Sequence, residues 1–87
     1  MSTVSLIESK LQQAFQPTQL EVIDDRDEHR GHAHQDSGHF TVIIAASQFS
    51  GKNRVAQHRM IYDALGSLMQ THIHALRIQV SGGGGEQ

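Results

Sequence analysis

The sequence predicts an α+β domain of two layers, one sheet covered on one face by helices. Three observations predict it: two segments of helical periodicity alternate with segments of period-two alternation, the elements run in the order α–β–β–α–β, and 87 residues leave room for one small core and no second.

Thr3 or Ser5 can cap a first helix over residues 4–15, where Leu6, Ile7, Leu11, Ala14 and Phe15 keep helical spacing and Pro17 ends the run. The stretch Gln19–Asp24 alternates around Leu20 and Val22. Residues 39–47 place Phe40, Val42, Ile44 and Ala46 on one face with β-branched neighbours, so the two segments read as strands, most simply an antiparallel pair. Between them residues 25–38 are polar, glycine-containing, rich in histidine and without periodicity, the mark of a functional or disordered loop. Gly51 breaks the chain after the second strand. From Arg54 to Met69 the residues Val55, Ile61, Tyr62, Leu65, Leu68 and Met69 form one stripe of a helix of about four turns. Alternation then returns with Ile73, Leu76, Ile78 and Val80, predicting a last strand over residues 76–80. The domain is expected to occupy residues 1–80, with residues 81–87 a glycine-rich, flexible tail.

Composition removes several function classes. There is no cysteine, which excludes disulfides, thiol catalysis, thiolate zinc sites and any iron–sulfur cluster held wholly by this chain's own thiolates. The longest uncharged apolar run, residues 40–46, is far below the roughly 18 residues of a membrane helix, and no basic segment followed by an apolar one stands at the N-terminus. The sequence therefore reads as a cytoplasmic protein with no membrane partner. Net charge is −2, yet residues 1–38 carry −4 and residues 39–87 carry +2. Between Ser47 and Tyr62 the only charges are Lys52, Arg54 and Arg59, which serve either as a solvated helix start or as a phosphate-binding patch.

No catalytic set assembles. A glycine-rich phosphate loop, an HExxH pair and a glycine-flanked serine elbow are all absent, and Asp24, Asp25, Asp27 and Glu28 form a solvated acidic run in which pairing two as acid and base is arbitrary. The informative residues are seven histidines, of which His29, His32, His34 and His39 fall within eleven residues. Imidazole offers a borderline-soft nitrogen suited to Zn, Cu and Fe, so a loop histidine with a second on rigid structure makes two ligands, half a site. The plain alternative leaves His29, His32 and His34 as exposed polar loop residues, gives His58 a hydrogen-bonded packing role beside the helix stripe, and lets His74 cap or pack at the start of the last strand.

His39 and Phe40, then Phe49, Gly51, Lys52, Arg54 and Val55, then His58, Arg59, Met60, Ile61 and Tyr62, and last His74, Ala75 and Leu76, resemble the BolA family. The resemblance spans about residues 5–80, and FSGKNRVAQHRMIYDAL is its most specific run. It implies a type II KH-like fold, a three-stranded mixed sheet with helices on one face and a short helical turn on either side of the main helix. Two departures stand out: Gln57 occupies a position where the family usually has arginine, and residues 81–87 replace the usual extension with its Thr-Pro and aromatic residue.

The resemblance implies two lines of function, neither enzymatic. BolA-like proteins pair with monothiol glutaredoxins and share a [2Fe–2S] cluster in cluster assembly, trafficking or iron-redox sensing. Bacterial members are also described as DNA-binding regulators of stress response and morphology. Carried over by motif, the cluster ligands are His74 of the run HAL and a loop histidine best matched by His32, with His34 or His29 as the alternative. His39, Phe49, Gly51 and His58 are implied to be structural. Two imidazoles on one iron and two thiolates on the other is a stable ligation, and a glutaredoxin cysteine with a glutathione thiol would supply the second half. No cluster is expected in the isolated chain, which should be a monomer or weak homodimer. For DNA, the KH-type GxxG clamp is reduced to Gly51 followed by Lys52, Asn53 and Arg54, and three basic side chains neutralise few phosphates, so binding by this reading is weak and salt-sensitive.

Overall fold

The structure, a computed structural model, describes residues 2–25 and 38–81. Helix α1 spans Thr3–Phe15. Its cap is Ser2, not Thr3 or Ser5: the Ser2 hydroxyl accepts the Ser5 N–H at 3.1 Å, while Thr3 turns inward and is buried. Thr3, Ile7, Leu11 and Phe15 repeat every fourth residue and form the buried stripe. The helix stops at Gln16, which adopts a left-handed φ of 45°. Its side-chain amide donates to the Gln13 carbonyl at 2.7 Å, satisfying a terminal acceptor and offsetting the strain of a side chain in that region. Pro17 follows and bars any continuation.

Strand β1, Gln19–Asp24, pairs antiparallel with β2, His39–Ala45, with Val22 opposite Val42. Strand β3, Ala75–Val80, lies parallel to β2 on its other side, with Val42 opposite Ile78, so β2 is central in a three-stranded mixed sheet. Strand β2 ends two residues earlier than its alternation suggests, because Ser47–Phe49 turn into a 3₁₀ segment that swings Phe49 into the core. The long helix also divides. Helix α2 covers Arg54–Leu65, and Gly66 at a φ of 57° separates it from α3, Leu68–Thr71. Ile61, Leu65 and Leu68 keep one inward face across that break, so the periodicity runs through while the backbone does not.

Helices α1 and α2 share one face of the sheet. Ile7 and Leu11 from α1, Phe40, Val42 and Ile44 from β2, Phe49, and Ile61 and Leu65 from α2 close into one cluster with almost no exposed area. Two residues of the expected stripe do not join it: Val55 is 64% exposed and Tyr62 40%. Gln57 goes inward instead. Its amide donates to the carbonyls of Phe49 and Lys52, each at 3.0 Å, and so position 57 adds nothing to the basic surface in this chain. No helix of the described residues is long and apolar enough to cross a membrane. His29, His32 and His34, and residues 82–87 of the expected tail, lie outside the described residues.

Candidate functional site

The two ends of the segment 26–37 are fastened at the start of β2, and its Gly38 end lies beside His74. At one end the Asp25 N–H donates to the His39 carbonyl at 2.8 Å, and the Thr41 hydroxyl donates to the Asp25 carboxylate at 2.5 Å, which extends the β1–β2 ladder by one rung and clasps it. At the other end Gly38, with a φ of 83°, turns the chain into β2. The Gly38 carbonyl accepts two successive N–H groups, from His74 at 2.7 Å and Ala75 at 3.0 Å. This pair begins the parallel β2–β3 pairing, where His39 stands opposite Ala75. His74 thus sits at the mouth of the segment that carries the other candidate ligands.

His74 is exposed, and its imidazole makes no hydrogen bond to the described residues. Its neighbour His72 differs, because its Nδ1 lies 2.7 Å from the Thr71 hydroxyl and is engaged locally. Among the described residues no three histidines or carboxylates come together as a metal site. One exposed imidazole nitrogen, not committed to a described partner, suits iron as a donor but needs further donors from elsewhere. Three residues separate Asp25 from His29 and three separate His34 from Gly38, with His32 between His29 and His34. At about 3.3–3.6 Å per extended residue, chain length alone does not bar any of the three from approaching His74.

The basic residues are brought together only in part. Gly51 holds a φ of 80° with open space where a Cβ would stand, and Lys52, Arg54 and Arg59 are all exposed. Asn53 caps α2 by accepting the Ala56 N–H at 2.8 Å, and Gln57 ties down the preceding turn, so Lys52 and Arg54 project from a fixed helix start. Arg59 lies five residues past Arg54, about 140° around the helix, and shares its side with exposed Val55 and Tyr62. Phe49 is buried, its ring 4.9 Å from that of Phe15.

His58 is half-buried and makes no hydrogen bond to the described residues, against the expectation of a hydrogen-bonded role. Burial, and secondly the nearby Arg54 charge, lower its pKa below the ordinary 6.5. The unfolded chain therefore takes up this proton first, so stability falls as pH drops below 6.5 and levels off below the folded value. In Arg54→Gln the His58 titration midpoint, followed by NMR, is expected to move up toward 6.5. An unmoved midpoint would remove Arg54 as a cause.

The contact of Gly38 with His74 and the inward turn of Gln57 are not marked in the sequence. A glycine directly before a strand is a weak signal of a left-handed turn, and nothing in the sequence marks a mid-helix glutamine as buried.

Comparison with known proteins places this arrangement. The family model described as BolA-like protein matches residues 11–82. A Sinorhizobium protein described as "Uncharacterized protein in cobS 5'region" is 41% identical over 91% of this chain and 89% of its own length. The "DNA-binding transcriptional regulator BolA" of Escherichia coli is 42% identical over 83% of this chain and 68% of its own length. Among solved structures, the BolA domain of SufE1 from Arabidopsis thaliana superposes with a TM-score of 0.77 at 34% identity, covering 92% of this chain and 91% of that one.

Proposed function

Since the chain belongs to the BolA-like family, we propose that it is a non-catalytic accessory protein that pairs with a monothiol glutaredoxin and gives histidine ligands to a shared [2Fe–2S] cluster. The observation that carries this reading is His74: an exposed imidazole with no hydrogen bond to the described residues, whose backbone N–H is fastened to Gly38, the residue that closes a three-histidine segment. His74 and one of His32, His34 and His29 would hold one iron. The chain has no thiolate, so the glutaredoxin cysteine and glutathione would hold the other, and the cluster would require the partner. The test is to mix the protein with a monothiol glutaredoxin, iron, sulfide and glutathione. The mixture is expected to show a visible spectrum distinct from that of the glutaredoxin alone, and an identical spectrum would refute the pairing.

A second reading is DNA binding, supported by the printed name of the Escherichia coli relative and by the exposed Lys52, Arg54 and Arg59. With three phosphates neutralised, a plot of log affinity against log salt is expected to have a slope of about −3 or shallower. Replacing Lys52, Arg54 and Arg59 together with Gln should remove most of the affinity for duplex DNA, while His74→Ala should leave it intact. Tight, sequence-selective binding that survives the triple substitution would move the interface elsewhere on the molecule.

A further inference from the structure

We propose that Gly38 is a positioning residue for the His74 imidazole, holding the ring at the mouth of the segment 26–37 by leaving it the space a side chain would fill. The inference deepens the reading of His74 as a cluster ligand and rests on that reading for its functional consequence.

A Cβ at position 38 would stand 2.2 Å from Cδ2 of His74, 3.0 Å from Cγ and 3.3 Å from Nε2. Carbon atoms in contact prefer about 3.5–4.0 Å, so the ring and a side chain at 38 exclude one another. The ring lies on the bare Cα with its Cδ2 corner inward, which turns the Nδ1–Cε1 edge away. The Gly38 carbonyl meanwhile accepts the N–H groups of both His74 and Ala75 and fixes the backbone from which the ring departs. One residue therefore sets both the root and the plane of the imidazole.

A ligating histidine must be aimed, and the usual device is a hydrogen bond from its second ring nitrogen. Among the described residues His74 has no such partner. Packing against Gly38 takes its place.

Two variants test this. Gly38→Ala adds the Cβ and also strains the backbone at a φ of 83°, whereas Gly38→Asn adds the Cβ in a residue that tolerates this region better. Imidazole signals are read by proton–carbon correlation NMR in the protein alone, with His58 on α2 as the reference for an intact fold. In both variants the His74 signal is expected to leave its wild-type position while that of His58 stays. With glutaredoxin, iron, sulfide and glutathione added, both are expected to give the visible spectrum of His74→Ala.

A His74 signal that stays in place in a folded variant would overturn the proposal. So would a displaced ring with a wild-type cluster spectrum, if His74→Ala itself changes that spectrum. If the ring moves and the spectrum responds to neither Gly38 nor His74, the ligand reading fails and the hold of Gly38 on the ring stands. Unfolding of both variants would overturn the proposal in favour of a purely structural glycine.

Discussion

His74→Ala should reduce the spectrum of the mixed glutaredoxin complex to that of the glutaredoxin alone, and His32→Ala should do the same. The chain has no thiolate, and on the proposed ligation it would give the cluster two imidazoles, so each loss would remove half of that contribution. Losing a group that merely supports a ligand costs about 10–100-fold in metal affinity, and losing a ligand itself should exceed that. Stability should hardly respond. His74 is exposed and its side chain makes no hydrogen bond to the described residues, and surface substitutions of this kind cost within about 0.5 kcal/mol. A thermal melt of the isolated protein alongside the spectrum separates lost ligation from lost fold. His29→Ala should have the smaller effect. If His32→Ala is silent and His34→Ala is not, His34 is the loop ligand; wild-type spectra in both His74→Ala and His32→Ala would end the assignment.

The strands were legible because alternation at Leu20 and Val22, and at Phe40, Val42 and Ile44, reports which face a strand buries, and these are the residues that meet the helices. Helix boundaries were less so. Ile61, Leu65 and Leu68 share a face whether or not the backbone is continuous, so periodicity could not see the break that Gly66 makes. Polarity misled at two places on α2, where exposed Val55 looked like core and buried Gln57 looked like surface. Its partners, the carbonyls of Phe49 and Lys52, become neighbours only once the 3₁₀ turn has formed. The candidate site shows the same limit. His74 could be singled out by motif, but its contact with Gly38 spans 36 positions of sequence and depends on the parallel pairing of β3 with β2, which no local pattern encodes.

Phe49→Ala should cost about 3–5 kcal/mol, the range for deleting a buried aromatic ring and leaving a cavity. The ring has no exposed area, sits tilted at 45° against Phe15 at 4.9 Å, and joins α1 to the sheet and to α2. A domain of this length has a total stability of only about 4–13 kcal/mol, so the variant forfeits a large share of it. At roughly 4–8 °C per kcal/mol, its melting temperature should fall by about 12 °C or more. The damage should also reach the basic segment, because the Phe49 backbone carbonyl accepts both the Lys52 N–H and the Gln57 amide. Once Phe49 loosens, the turn that fixes Lys52 and the Asn53 cap loses its anchor, and whichever partner uses Lys52 and Arg54 should bind less well. Val55→Ala on the same helix removes apolar atoms that are already in water and should stay within about 0.5 kcal/mol. Denaturant melts of the two variants put the packing to the test. Equal losses in both would mean that the outer face of α2 is covered in solution and that the inward face drawn through Ile61 and Leu65 is not the only one buried.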